Sequence, residues 1–422
     1  MAADASAIHA EIVAIGAELL TPFKQDTNSL FLTEELNLLG VKVAFKDVVG
    51  DDRTHLTNVA RVAVERSGII IFMGGLGPTE DDLTRECVAD ALGIEVHPDP
   101  EIITELYKRF ASRRIVMPEN NARQAHVLDG AKVLANSRGT APGQWLDTRF
   151  NGEPRYIMLL PGPPHELKPM FMEQCVPRLR EALPEAHFAR RVLKLAMLGE
   201  SYVDSIAAPI YNKRTEVQTT ILASAAEVQL HLTSSAASRQ EAQCRVDSLA
   251  DELDAAFGPS IFSTEGEPLE EIVGLYLGMR GMTVSVAESC TGGMIGERLT
   301  AVPGSSRWFM GGAIVYSNQM KVTLAGVSAK LIEQFGAVSD SVARALAEGI
   351  RARCGTHIGI GVTGIAGPAG GSAEKPVGLV YVAVADERGT EVMERQFLGD
   401  RQRVRLGASQ QALDMVRRRL LA

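Results

Sequence analysis

The segment IIIFMGGLGPTEDDLTRE, residues 69–86, sets an apolar run directly before closely spaced glycines and a helix-like stretch. Upstream, apolar runs at 11–16 and 41–49 alternate with periodic stretches at 26–40 and 52–68. Strands that alternate with helices are typical of a parallel sheet with crossover helices. The pattern returns at residues 155–179, where an apolar run ends in a Pro/Gly turn and a helix. We therefore expect an α/β domain with a parallel sheet over residues 8–180.

The pattern of the chain changes after residue 190. Residues 190–262 predict a small α+β domain that is similar in size and order to a KH domain but lacks the GxxG loop that clamps a nucleic-acid backbone. A structural spacer or a dimerisation segment is the alternative. The polar stretch STEGEPLEE, residues 263–271, predicts a linker. A third domain, α/β with a mixed sheet, is expected over residues 269–422.

Composition excludes several classes of protein. Hydrophobic residues make up 45% of the 422 and charged residues 23%, as in globular proteins, and the sequence contains neither a long apolar run nor a signal-peptide pattern. We expect a cytoplasmic protein with no membrane partner. Five widely spaced cysteines without a CxxC pair argue against a disulfide framework or a zinc site. The net charge of −9 argues against nucleic-acid binding, which depends on Lys and Arg.

The loop after residue 73 has features of an anion site. Its glycines, Gly74, Gly75 and Gly77, allow the backbone to approach a ligand closely. The helix that follows offers unpaired amides at its N-terminus, which favour a phosphate.

Acidic residues accompany this loop. Asp81 and Asp82 follow Thr79, while Glu18 and Asp26 come after the first strand. Carboxylates next to a phosphate are explained most simply by a divalent cation that bridges them, although Asp81 or Asp82 as a helix cap is an equally good explanation. The carboxyl ends of parallel strands share one edge, so these loops are expected to meet there.

A second candidate site is AESCTGG, residues 287–293, between a strand and a helix. Ser289, Cys290 and Thr291 are the three possible nucleophiles. A serine needs a base, and the third domain offers one histidine, His357, at the start of a buried strand. A satisfied core histidine is the better interpretation there.

Lys321 is the alternative base. A lysine acts as a base near neutral pH only when burial lowers its pKa by about 3 units from ~10.4. Spacing alone leaves open an ordinary solvated lysine, and it leaves Cys290 open as the nucleophile, because a thiolate needs less activation. The glycine-rich residues 359–371 and the PGSS turn at 303–306 are further candidates for binding a phosphate or an oxyanion.

The first domain resembles the CinA family, whose N-terminal domain is similar to the molybdopterin-binding fold. The matching segments are GAELLTPFKQDTN, GGLGPTEDDLT, NSRGTAPG and LPGPPHEL, which start at residues 16, 74, 136 and 160. The resemblance implies metal-dependent hydrolysis of ADP-ribose to AMP and ribose 5-phosphate. Asp81 and Asp82 would hold the cation, and Glu18 or Asp26 would orient the water. Pro22 and Met73 depart from the usual motif.

The third domain resembles the nicotinamide-nucleotide amidase domain of the same family. The motifs are AESCTGG, VPGSSRWF, VYSNQMK, GAVS, TGIAGPAGGSAEKPVG and GDR, which start at residues 287, 302, 315, 336, 363 and 399. The resemblance implies a Ser289/Lys321 dyad, a site tyrosine at Tyr316, and no cofactor. Residues expected to bind the oxyanion or the phosphate are Thr291, Gly292, Gly293, Thr363, Gly364, Gly367 and Arg401.

Together these resemblances imply a bifunctional hydrolase of pyridine-nucleotide recycling, a homodimer that acts on small nucleotides. Nicotinamide mononucleotide would become nicotinate mononucleotide and ammonia. Two alternatives stay open. In one, the third domain alone is catalytic and the first only binds a pterin or nucleotide. In the other, the protein is a regulator linked to competence or DNA damage.

Overall fold

The computed structural model describes residues 8–183 and 187–422. The chain divides into two compact units, one up to residue 188 with residues 236–239, the other with residues 189–235 and 240–422. In the described ranges, no helix has both the length and the apolar character needed to cross a bilayer.

The first unit alternates strands and helices in its N-terminal half, as the sequence pattern predicts. Its strands are β1 (Ala10–Ile15), β2 (Val43–Val49), β3 (Ile69–Met73), β4 (Val96–Pro98), β5 (His126–Leu128), β6 (Lys132–Leu134), β7 (Gly143–Phe150) and β8 (Glu153–Leu160). Its helices are α1 (Asn28–Leu38), α2 (Arg53–Arg66), α3 (Thr84–Leu92), α4 (Pro100–Ser112), α5 (Pro164–Met170) and α6 (Val176–Ala182).

The main sheet of this unit has the order β2-β1-β3-β8-β7-β6. The first four strands are parallel, which confirms the predicted parallel sheet, whereas β7 pairs antiparallel with both β8 and β6. A two-residue turn joins β7 to β8, with Asn151 at φ 50° and Gly152 at φ 84°. Both residues tolerate a positive φ, so this Asn-Gly pair closes a tight hairpin at the sheet edge.

Both faces of this sheet are buried. One apolar cluster joins it to α1, α5 and α6, and a second joins it to α2 and α3. Strands β1 and β3 are buried at every position, as expected of parallel strands between two helical layers. Polar ligands can therefore reach the sheet only at its edges or at the strand ends.

The second unit contains two sheets. Its strands are β9 (His187–Ala196), β10 (Gln218–Ser224), β11 (Glu227–Ala236), β12 (Ile261–Ser263), β13 (Val284–Glu288), β14 (Phe309–Ile314), β15 (Ile358–Gly364), β16 (Leu379–Asp386) and β17 (Gly389–Gln396). Its helices are α7 (Glu200–Tyr211), α8 (Arg239–Phe257), α9 (Leu269–Arg280), α10 (Met294–Ala301), α11 (Asn318–Ala325), α12 (Ala329–Phe335), α13 (Asp340–Cys354) and α14 (Arg401–Leu421).

The smaller sheet has the order β10-β11-β9-β12 and forms, with α7 and α8, the expected KH-like α+β fold. Its apolar residues extend into the core of the rest of the unit. Ala196 and Phe262 belong to the same buried cluster as Leu269 and Trp308. The predicted linker is ordered, since the Ser263 hydroxyl accepts hydrogen bonds from two amides in it and donates to Glu267.

The larger sheet has the order β14-β13-β15-β16-β17. β13 is parallel to both neighbours, and the last two pairings are antiparallel, so the sheet is mixed. The carboxyl ends of β13, β14 and β15 consequently lie side by side. They lead into the AESCTGG segment, the YSNQMK segment and the glycine-rich loop, respectively.

Candidate functional site

Ser289 and Lys321 meet in a cavity at the carboxyl end of the larger sheet. Ser289 directly follows β13, and its amide donates to the carbonyl of Val362 at 3.0 Å. Lys321 lies one turn into α11, which the Ser317 hydroxyl caps by accepting from the Met320 amide at 3.2 Å. The Nζ of Lys321 lies 3.0 Å from the Oγ of Ser289.

The environment of Lys321 favours a neutral amine. Only 2% of the residue is exposed, and burial lowers the pKa of its amine. Its Nζ also lies 3.0 Å from the carbonyl of Val315 and 3.4 Å from that of Tyr316. A neutral amine has two N–H donors and one lone pair. When the two carbonyls accept the N–H bonds, the lone pair is left for the Ser289 hydroxyl.

Cys290 is unsuited to be the nucleophile. Its side chain lines the same cavity, but burial raises the pKa of the thiol to about 12. The thiol stays protonated at neutral pH, and a thiol is a far weaker nucleophile than a thiolate. The chemistry therefore favours Ser289 over Cys290, a choice that the sequence left open.

Glu288, the last residue of β13, fixes the turn that follows it. Its carboxylate is 1% exposed and accepts hydrogen bonds from the amides of Gly293, Ile295 and Gly296, at 3.0, 3.1 and 2.9 Å. The carboxylate thus caps α10 from inside, where the first amides lack intrahelical partners. This corrects the expectation that the Gly293 amide faces the substrate.

The neighbouring residues of the motif are also engaged. The Gly292 amide donates to the carbonyl of Ser289 at 3.2 Å. The carbonyl of Thr291 accepts two hydrogen bonds from Arg405, at 3.1 and 2.8 Å. The Thr291 residue is fully buried, and none of the predicted oxyanion donors at Thr291, Gly292 and Gly293 lines the cavity around Ser289.

The cavity has a volume of about 180 Å³ and brings together most of the predicted residues. It is lined by Ser289, Cys290, Tyr316, Asn318, Lys321, Ala337, Val338, Thr363, Gly364, Ala366 and Arg401. At its rim Arg401 donates to the Tyr316 hydroxyl at 2.9 Å and to the Gly367 carbonyl at 2.8 Å. The Thr363 hydroxyl donates its proton to the Ala337 carbonyl at 2.7 Å. The hydroxyl oxygen of Thr363 can therefore only accept a hydrogen bond from a ligand.

Three features were missed from the sequence or left undecided by it. Glu288 and Asn318 lie within the sequence motifs but were not predicted as site residues, although Asn318 lines the cavity. His357 is hydrogen-bonded, since its Nδ1 accepts from the Thr283 amide at 3.0 Å, but it is exposed, so the interpretation as a core histidine is wrong. A carboxylate next to a Gly-Gly turn that starts a helix is the signal that could have identified Glu288 as a cap.

The first unit has a cavity of about 360 Å³ at the carboxyl ends of β1, β3 and β8. Its lining includes the predicted residues Glu18, Gly74, Gly75, Gly77, Thr79, Asp81 and Asp82, and also Asp51 and Glu166. Asp26 is not among the lining residues. It caps the start of α1 instead, where its carboxylate accepts from the Ser29 amide at 3.0 Å.

Close packing explains the glycines of this loop. A Cβ at Gly74 would lie 2.3 Å from the Ile15 carbonyl, one at Gly75 would lie 2.2 Å from Thr84 Oγ1, and one at Gly77 would lie 2.4 Å from an Asp82 oxygen. The loop is thus pressed against β1 and the start of α3. Because a Cβ at Gly77 would meet the Asp82 carboxylate, that carboxylate lies directly against the loop backbone.

Asp81 and Asp82 do not cap α3, which begins at Thr84. Asp82 accepts from the amide and the hydroxyl of Thr79, at 2.8 and 2.5 Å. A hydrogen bond from Thr79 lowers the pKa of Asp81, which favours its charged form. Both carboxylates therefore present negative charge at the cavity.

The fit of these residues to a divalent cation is limited. Residues 8–183 and 187–422 contain no group of three or more His, Cys, Asp or Glu side chains placed to hold a metal. Mg²⁺ is commonly held by one or two carboxylates together with waters and substrate phosphates. Glu18, Asp81 and Asp82 fit that mode, in which the substrate supplies part of the coordination.

Three family models match consecutive segments of the chain. Residues 11–181 match the family described as probable molybdopterin binding domain, residues 190–263 the damage-inducible protein CinA KH domain, and residues 266–420 the CinA C-terminal domain.

Similar proteins extend over almost the full length. A CinA-like protein of Koribacter versatilis is 61% identical over 98% of this chain and 100% of its own length. A CinA-like protein of Acidobacterium capsulatum is 57% identical over the same shares. A solved structure of competence/damage inducible protein CihA from Agrobacterium tumefaciens is 38% identical, covers 36% of this chain and 94% of its own, and has a TM-score of 0.36.

Proposed function

The chain belongs to the CinA family, and on that premise we propose that its second unit hydrolyses the amide of nicotinamide mononucleotide to nicotinate mononucleotide and ammonia. The observation that carries the proposal is the buried amine of Lys321, 3.0 Å from the Ser289 hydroxyl. A serine paired with a base of lowered pKa suits acyl transfer from an amide.

The reaction proceeds in two halves. The lone pair of Lys321 takes the Ser289 proton while Oγ bonds to the amide carbon. Lys321 then returns that proton to the leaving nitrogen, the C–N bond breaks, and ammonia departs from an acyl-enzyme ester. In the second half a water molecule, deprotonated by Lys321, attacks the ester and restores the Ser289 hydroxyl.

The carbonyl oxygen of the substrate gains negative charge in the first half. Backbone amides stabilise such an oxyanion when they are fixed in position beforehand. None of the three predicted donors meets this condition, because the amides of Gly292 and Gly293 are engaged by Ser289 and Glu288, and Thr291 is fully buried and does not line the cavity. The oxyanion donor therefore lies outside these three residues.

The size of the cavity suits part of a nucleotide. Its volume of about 180 Å³ is below the roughly 300–1,000 Å³ that encloses most of a drug-sized ligand. The nicotinamide ring would enter, and the ribose phosphate would extend across the rim. We expect Arg401 and the loop from Thr363 to Gly367 to bind the phosphate.

For the first unit we propose metal-dependent hydrolysis of ADP-ribose to AMP and ribose 5-phosphate. The specific observation is a 360 Å³ cavity in which the glycine loop, Glu18, Asp81 and Asp82 lie together. A bound divalent cation would neutralise the pyrophosphate and lower the pKa of a water. Asp81 and Asp82 would hold it, and Glu18 would orient the attacking water.

One experiment tests both activities. The full chain is incubated separately with nicotinamide mononucleotide and with ADP-ribose, each with MgCl₂ or with chelator, and ammonia and AMP are measured. We expect chelator to stop AMP formation and leave ammonia release intact. Absence of ammonia release contradicts the first proposal, and absence of AMP contradicts the second, which would leave the first unit as a binding domain.

A further inference from the structure

Arg85, the second residue of α3, carries a buried positive charge that forms no close ion pair among the described residues, and the nearby carboxylates of Glu86 and Asp82 act on it only from a longer distance. Only 1% of the residue is exposed, and in the part of the chain that the structure describes its Nε has no hydrogen-bond partner and its guanidinium forms no ion pair. Burial lowers the pKa of Arg85 to about 10, so the group stays charged at neutral pH. Buried charges in proteins are normally paired, because removing an ion from water is costly.

The one hydrogen bond of Arg85 holds the glycine loop. Its Nη2 donates to the carbonyl of Leu76 at 2.9 Å. Thr84, the residue before it, holds the two preceding carbonyls: its hydroxyl donates to Gly74 O at 2.8 Å, and its amide donates to Gly75 O at 3.3 Å. Three consecutive carbonyls are thus turned toward the start of α3.

Peptide geometry then fixes the amides. In a trans peptide the N–H points opposite to the C=O of the same unit. The amides of Gly75, Leu76 and Gly77 therefore point away from α3. The cavity is lined by these same three residues, and neither Thr84 nor Arg85 is part of its lining. Consecutive amides that converge on one side of a loop form an anion-binding concavity.

We propose that Arg85 is a positioning residue for a phosphoryl group at this loop: by holding the Leu76 carbonyl it turns the Gly77 amide into the cavity. The proposal deepens the function proposed for the first unit and rests on it. The anion is a phosphoryl group of a nucleotide, held by the loop amides of Gly75, Leu76 and Gly77.

The test uses Arg85→Met in the full chain, which keeps the length and apolar character of the side chain but removes the charge. AMP binding is measured by calorimetry with excess MgCl₂, and the melting temperature is measured without ligand. We expect AMP affinity to fall by about tenfold or more, because charge-assisted contacts to the loop are lost. The melting temperature should stay equal or rise, because a buried charge without a close ion pair is removed.

Arg155→Met is the matched control. Arg155 lies in the same unit, donates to the carbonyls of Val64, Pro154 and Glu65, and also forms no ion pair among the residues described. It is not part of the cavity lining, so AMP affinity should be unchanged.

The other outcomes decide against the role of Arg85, against the pyrophosphatase function, or against both. Unchanged AMP affinity in Arg85→Met, or a loss of affinity accompanied by a lower melting temperature, assigns Arg85 a structural role only. Wild-type protein that binds AMP but does not hydrolyse ADP-ribose contradicts the pyrophosphatase function while the effect of Arg85→Met on binding still stands. Wild-type protein that binds no AMP overturns both.

Discussion

The amine of Lys321 lies 3.0 Å from the hydroxyl of Ser289, although 32 residues separate them in the chain. The contact exists because β13 and β14 are parallel neighbours, and the segments that follow them leave the sheet at the same edge. Burial of Lys321 beneath this edge lowers the pKa of its amine, which is what a lysine that acts as a base requires.

Removal of either member of the pair should abolish ammonia release. For Ser289→Ala and Lys321→Ala we expect kcat for nicotinamide mononucleotide to fall by about 10³-fold or more, because the nucleophile or its base is lost. Cys290→Ala should keep most of the activity. An inactive Cys290→Ala with an active Ser289→Ala would instead make the thiol the nucleophile.

The rate should depend on pH through Lys321. The neutral amine is the active form, so kcat rises with pH through the Lys321 pKa and is lost as pH falls below it. Since burial lowers that pKa, the rise should occur at lower pH than ~10.4, the value for a free lysine. A pH–rate profile of ammonia release measures it. A rise in kcat that begins only near the pKa of a free lysine would show that Lys321 is not the base.

Alkylation should distinguish the cysteines. Iodoacetamide reacts with thiolates, and burial both shields Cys290 and raises the pKa of its thiol to about 12. Under native conditions at neutral pH, mass spectrometry should find label on the exposed Cys244 and Cys354 and none on Cys290. Rapid labelling of Cys290 with loss of ammonia release would contradict the burial of its side chain.

Glu288→Gln should affect both stability and turnover. The amide side chain keeps one acceptor oxygen but loses the charge that caps three amides, so we expect a loss of about 1–3 kcal/mol in the free energy of unfolding. Turnover should fall in kcat more than in KM, because the adjacent Ser289 loses its fixed position. Denaturant unfolding and steady-state kinetics measure the two effects.

Asp99→Ala is the matched control for Glu288→Gln, because alanine removes a helix cap that asparagine would retain. Asp99 caps α4 in the first unit by accepting from the amides of Glu101 and Ile102. This variant should lose stability without any change in ammonia release. An equal loss of turnover in both variants would show that reduced stability, not the position of Ser289, limits the rate.

Asp81→Asn and Asp26→Asn should separate the acidic residues of the first unit. Asp81 lines the cavity, so its loss should abolish metal-dependent release of AMP from ADP-ribose. Asp26 caps α1 and an asparagine retains an acceptor oxygen for the Ser29 amide, so Asp26→Asn should change the melting temperature little and retain AMP release. Full activity of Asp81→Asn would remove this cavity as the site of hydrolysis.

The main architecture was predictable because buried strands and crossover helices leave strong periodic patterns. The hairpin of β7 and β8 was missed, although Asn151 and Gly152 form a strong two-residue turn signal. The pairing of Ser289 with Lys321 came from resemblance and not from spacing, because strand order decides which loops meet. The cap at Glu288 escaped notice because its carboxylate reaches amides five to eight residues further along.

The smaller sheet and the rest of the second unit share one core, and this core determines where a stable fragment of the protein can begin. Ala196 and Phe262 lie in the same buried cluster as Leu269, although the linker pattern falls between Phe262 and Leu269. A fragment that starts at the linker would expose that cluster to water and invite aggregation. A recombinant fragment for crystallisation or assay should begin near residue 189, where the second compact unit starts.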